Sequence, residues 1–186
     1  FFDISLAYSY FEAGASKVLS LGNVQINLTF RSLIRTFATM KSLTLDNGLR
    51  VVYAPSPTNT VYLGLALDAG TRDETNEESG MAHFAEHLSF KGTHRRTSRQ
   101  IITYMESVGG DLNAFTGKEE TVYYCTCQKE HFHRAMDILF DVVFHSRYPQ
   151  EEMDKEVEVV IDEIESYNDS PSELIYDDFE AMLFQG

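Results

Sequence analysis

Asp46-Asn47-Gly48 stands between two runs of alternating residues, Ser42-Leu43-Thr44-Leu45 and Leu49-Arg50-Val51-Val52-Tyr53. Asn-Gly at such a point is a strong short-range signal for a β-hairpin, because the turn needs the positive φ that glycine adopts freely. A hairpin commits the chain around it to an antiparallel sheet. VYLGLALDAG, residues 61–70, supplies a third strand. It is apolar almost throughout, so it is expected inside the sheet. DLNAFTGKEETVYYCTC reads as two more strands around a Gly117-Lys118 turn.

Helices fall between these strands. The first is expected over about Ser79 to Phe90, with Met81, Phe84, Ala85 and Leu88 as its apolar stripe. Ser98 starts a second, with Ile101, Met105 and Val108 at core spacing and Gly109-Gly110 as its stop. The basic stretch between them, KGTHRRTSRQ, reads as a surface connection. Phe132 to Phe144 carries Phe132, Met136, Leu139 and Val143 at helical spacing. Pro149 opens the next helix with an acidic first turn that suits the helix dipole, and Asn168-Asp169 ends it. Ser170-Pro171-Ser172-Glu173 is a capping box for a last helix. The fold class this implies is α+β, an antiparallel sheet with helices packed on one face.

Residues 1–39 have no clean period and no turn punctuation. NLTFRSLIRTFAT, at the end of this stretch, has two arginines, several hydroxyls and no acid, as a transit peptide would. Met40 as the true start is the alternative. Either reading sets 1–39 apart from the fold, leaving 40–186 as the folded unit.

The net charge of −14 argues against a nucleic-acid partner. No run of 18 apolar residues indicates a membrane span. Cys125 and Cys127 lie two apart in a strand-like run and share a face, so a reducing compartment is the simpler reading. Between Pro149 and Gly186 there are 13 acids and one base, Lys155. This stretch reads either as solvated helix faces or as an acidic wall that attracts basic peptides.

MAHFAEHLSF, residues 81–90, holds the chemistry. On a helix, positions four apart differ by about 40° in azimuth, so His83 and His87 project from one face and can reach one ion. Zinc accepts imidazole nitrogen, and a catalytic zinc takes three protein ligands and leaves one position open. Glu86 leans to the same side and is placed to take a proton from a metal-bound water. This is the His-x-x-Glu-His order. The pentapeptide alone also fits two histidines on an ordinary amphipathic helix. In the helix after Pro149, an apolar stripe of Met153, Val157, Val160, Ile161 and Ile164 is expected. Glu156 and Glu163, seven apart, border it beside Val160. Half-buried carboxylates there would need a counter-charge.

His83-x-x-Glu86-His87, followed 76 positions after His87 by Glu163 with Glu156 seven before that, resembles the pitrilysin-type (M16, inverzincin) metallopeptidases. That family includes the mitochondrial processing peptidase and shorter bacterial relatives. LDNGLRVV, DAGTRDE, ESGMAHFAEHLSFKGT and GGDLNAFTGKEETVYY carry the resemblance further, over about Leu43 to Gly186. It implies zinc on His83, His87 and Glu163, with Glu86 as general base and Glu156 orienting one histidine. It implies that Asn113, Ala114 and Phe115 lie along an edge strand that receives a peptide. The family has two similar halves, and this chain corresponds to most of the first. The second is expected on a missing C-terminal part or on a partner subunit. A bacterial cytoplasm is the expected compartment, with the mitochondrial matrix as the alternative. Two other functions stay in view. One is a non-catalytic subunit of the respiratory-complex core type. The other is a LuxS-type lyase, whose third ligand would be Cys125 or Cys127.

Overall fold

The computed structural model describes residues 40–184, and the backbone of 4–9, 17–21 and 24–28. Among the described residues, eight strands and five α-helices follow in chain order. They are β1 (Ile4–Ser9), β2 (Lys17–Leu21), β3 (Val24–Leu28), β4 (Lys41–Thr44), β5 (Arg50–Tyr53), β6 (Thr60–Leu67), α1 (Met81–Ser89), α2 (Ser98–Glu106), β7 (Asp111–Thr116), β8 (Thr121–Gln128), α3 (Phe132–His145), α4 (Gln150–Asn168) and α5 (Pro171–Phe184).

The main sheet has the order β4-β5-β1-β6-β8-β7. All neighbours are antiparallel except β1 and β5. The hairpin signal holds: Leu45 and Leu49 close a three-residue loop, and Gly48 sits at φ 88°. β6 is interior, as its apolar run implies, and β7 is an edge. Sequence reading set residues 1–39 apart from the fold, yet the backbone places Ile4–Ser9 between β5 and β6. Facing strands with open amide rows must be paired, and main-chain hydrogen bonds make little demand on sequence period. β2 and β3 form a separate two-stranded sheet.

One face of the main sheet is covered by helices. Val61, Leu63 and Leu65 of β6 point into it, with Tyr123, Cys125 and Cys127 of β8. Ile101 and Met105 of α2 and Ala135, Ile138, Leu139 and Val142 of α3 meet them. Each fully buried Leu or Ile contributes roughly 1.5–3 kcal/mol, so this layer is the scaffold's main source of stability. On the opposite face Tyr62 and Phe115 stay exposed.

The basic stretch after α1 is more than a surface connection. The nearly buried Arg96 guanidinium pairs with Asp137 and Asp141 of α3, and Thr93 Oγ1 donates to Asp141 Oδ2 at 2.9 Å. Burial works to raise the Asp137 carboxyl, but Arg95 and Arg96 outweigh it and hold its pKa below the usual carboxylate value. This loop is thereby fixed to the core, and with it the C-terminal end of α1.

Two expected stripes are not buried as sequence predicts. Met81 of α1 and Val157, Ile161 and Ile164 of α4 are exposed. α4 lies against α1 and α5 rather than on the sheet. Its buried residues are Glu156 and Val160, on the narrow seam toward α1. Among the described residues, no helix is long and apolar enough to cross a membrane.

Candidate metal centre

α1 buries one large apolar side chain, Leu88, beside Glu86 and Ser89. Polar anchors therefore do much of its positioning. Gly80 precedes the helix in the left-handed region at φ 89°. The Glu74 carboxylate reaches back and accepts from the amides of Gly80 at 2.8 Å and Ala82 at 2.6 Å. An anion at a helix N-terminus satisfies free amides and complements the dipole. At the other end Ser89 Oγ lies 3.0 Å from the Tyr123 hydroxyl. Burial pushes that phenol up to about 12, so it stays neutral in the core.

This helix carries His83, Glu86 and His87, and α4 brings Glu163 opposite them. The two imidazole Nε2 atoms are 3.1 Å apart. Glu163 Oε2 lies 3.4 Å from the His87 Nε2 and 3.8 Å from the His83 Nε2. Ligand atoms of a tetrahedral zinc with bonds near 2.0–2.1 Å stand ~3.3 Å from one another. The triangle is therefore the right size for one such ion, and two nitrogens with a carboxylate oxygen are donors zinc accepts. Among the described residues, the group whose donor atoms converge in this way is His83, His87 and Glu163.

Glu156 lies behind His87. It is 5% exposed, and its Oε1 is 2.9 Å from the His87 Nδ1. A carboxylate at Nδ1 favours the proton there, which leaves the Nε2 lone pair facing the triangle. The other oxygen, Oε2, meets Lys91 Nζ at 2.6 Å. Burial works to raise the Glu156 carboxyl, but Lys91 and His87 overcome it and its pKa falls below the usual value.

Glu86 is 8% exposed and its Oε2 accepts from Thr116 Oγ1 at 2.6 Å. Thr116 ends β7, so the edge strand and Glu86 are held together. Of the three residues expected along that edge, Asn113 and Phe115 face the open side of the sheet and Ala114 faces the helices. Asn113 Oδ1 accepts from the Ala114 N–H at 2.8 Å. Sequence reasoning missed Glu74, Lys91 and Thr116. Lys91 follows His87 by four, the spacing of His83 and His87, and that was the available signal for it.

Cys125 and Cys127 are buried in the core on β8 and outside the converging group. A hydrogen bond with Cys127, reinforced by burial, pushes the Cys125 thiol well up. Neither is arranged as the third ligand of a lyase-type site.

A family model described as Insulinase (Peptidase family M16) matches residues 50–186. The chain belongs to peptidase family M16. This M16 chain is 41% identical over 139 residues to an uncharacterized zinc protease, YmxG, of Bacillus subtilis, a match spanning 74% of this chain and 34% of that protein. It is 38% identical over 146 residues to the mitochondrial-processing peptidase subunit beta of Neurospora crassa, covering 78% of this chain and 31% of that one. It is also 34% identical over 157 residues to the ubiquinol-cytochrome-c reductase complex core protein I of Euglena gracilis, covering 84% and 32%. Among solved structures, a protease from Helicobacter pylori superimposes with a TM-score of 0.71 at 26% identity, covering 76% of this chain and 35% of that one. The chain spans about a third of the length of the curated relatives it matches. The fold agrees with these structural neighbours: α+β, a largely antiparallel sheet with helices on one face, here a partial domain.

Proposed function

We propose that the protein is a zinc-dependent endopeptidase in which His83, His87 and Glu163 hold the metal and Glu86 is the general base. The observation that carries this is the convergence of two imidazole nitrogens and a distant carboxylate on one point, with a buried glutamate on the same helix face. Residues 40–186 would form most of the first of two similar halves. The other half would lie on the continuing chain or on a partner subunit.

Bound there, zinc supplies a Lewis acid for the scissile carbonyl and lowers the pKa of its water. The protein's own groups do the rest. Glu156 holds the His87 Nδ1 proton, so that Nε2 is available as a ligand. Thr116 occupies one oxygen of Glu86, which leaves the other to accept the water proton and pass it to the leaving amine. The peptide would add as a strand to β7 along Asn113, Ala114 and Phe115, where main-chain pairing fixes an extended substrate with modest demand on its sequence. To pair there, it must take the Ala114 N–H from the Asn113 side chain. The compartment we favour is a bacterial cytoplasm, with the mitochondrial matrix as the alternative.

Two measurements on the full-length protein test this. It should hold about one zinc per site, lose peptide cleavage on chelation and recover it when zinc is returned. A protein with neither metal nor cleavage would instead fit a non-catalytic subunit, as the Euglena core protein match allows. Against that reading stand His83, Glu86, His87 and Glu163, all present. The acidic residues of α4 and α5 further suggest basic peptides as substrates. These should be cleaved faster than acidic ones at low salt, with the gap closing at high salt. Equal rates at both would remove the charge preference and leave the chemistry untouched.

A further inference from the structure

We propose that Lys91 is a positioning residue that strengthens metal binding by locking Glu156 against His87. This rests on the metallopeptidase reading above and goes beyond it by giving a role to a residue outside the ligand set and its base.

Lys91 lies two residues past the end of α1, where its amide still bonds to the Leu88 carbonyl at 3.0 Å. It follows His87 by four, so its side chain returns over the same face of the helix. There it meets a carboxylate on another helix: Glu156 Oε2 at 2.6 Å, while Oε1 of the same group meets the His87 Nδ1 at 2.9 Å. Both oxygens of a buried carboxylate are thus held by fixed donors. With its outer oxygen unpaired, Glu156 would be free to rotate off Nδ1. It could also turn toward the cation and compete with Glu163. Each of these loosens the constraint that aims the His87 Nε2 at its two partners.

Charge by itself works against the metal, so the case rests on geometry. Glu86, Glu156 and Glu163 bring three negative charges around one small volume. A divalent ion offsets two of them, and the Lys91 ammonium, only 26% exposed, supplies the third. An ammonium this near a divalent cation repels it, so what Lys91 contributes to affinity is the fixed orientation of Glu156 and, through it, of His87.

A purely mechanical tie between α1 and α4 is the competing account, and metal affinity separates the two. In the full-length protein, the zinc Kd is measured by competition with a chromophoric chelator, beside thermal unfolding of the metal-free form. Lys91→Met should weaken zinc binding by about tenfold, the low end of the range for removing the direct partner of a metal-bound histidine, because Glu156 itself remains. Lys91→Arg, which restores the charge and a donor, should recover most of that loss. A lower metal-free melting temperature in Lys91→Met with unchanged zinc Kd would overturn the proposal. If the methionine variant does not fold, Lys91→Ala takes its place, because it removes the donor and leaves room for water. Unchanged affinity there would overturn the proposal equally. Zinc binding that is indifferent to Lys91 ends this inference alone. Absence of zinc from the unsubstituted protein would overturn the metallopeptidase reading and this proposal with it.

Discussion

Glu86→Gln should retain zinc and fold normally while kcat for peptide cleavage falls by about 10²–10⁴-fold, the contribution general of a positioned acid or base. The reason is local. Glutamine matches glutamate in size, and its amide oxygen can still accept the Thr116 hydroxyl that now bonds to Glu86 Oε2. What it cannot do is take a proton from water. The side chain is almost buried, so replacing the charge with a neutral amide should not cost stability. Kinetics and metal content measured on the same preparation check the result. Activity within a fewfold of the parent, with zinc still present, would remove Glu86 from the base role.

Glu163→Ala is the second large effect, and its signature differs. Zinc sites in small peptides are worth about 10–16 kcal/mol over four ligands, so one ligand is worth roughly 2.5–4 kcal/mol, or about two to three decades in affinity. His83 and His87 alone would leave a weak two-nitrogen site. The substitution itself should be mild for the fold, because the Glu163 side chain is half exposed and lies at the outer end of the α1–α4 seam. A chelator titration should therefore show metal loss without a matching fall in the melting temperature of the metal-free protein. Zinc retained after Glu163→Ala but lost after Cys125→Ala would move the third ligand to the strand and revive the lyase reading.

Local patterns carried the legible part of the site. His83, Glu86 and His87 fall within five residues, where helical spacing alone sets their direction. Glu163 and Glu156 stood out as carboxylates beside an apolar position, and the family resemblance assigned their roles. Lys91, Thr116 and Glu74 were harder to see, because each acts through a partner that the sequence does not mark. Thr116 meets Glu86 across 30 residues, and the carboxylate of Glu156 lies 69 positions from the imidazole it holds. The fold was readable where one periodicity dominates, as in the Asp46-Asn47-Gly48 hairpin and in α3. It was misread where a helix has two claims on its surface. In α4 the apolar stripe predicted a buried Val157, Ile161 and Ile164, yet the seam toward α1 is set by Glu156 and Val160. In α1, Met81 is turned outward, and the helix is held instead by Glu74 at its start and Ser89 at its end.

The donor triangle is divided between α1 and α4, and α4 contributes only a thin apolar seam of its own. A divalent ion seated there would work as a second clasp on two helices already tied through Glu156 to His87 and Lys91. A free ion concentration a hundredfold above Kd adds about 2.7 kcal/mol to the closed arrangement. By the same linkage, any change that lets α4 drift outward is felt as weaker metal retention, even when every donor atom is chemically intact.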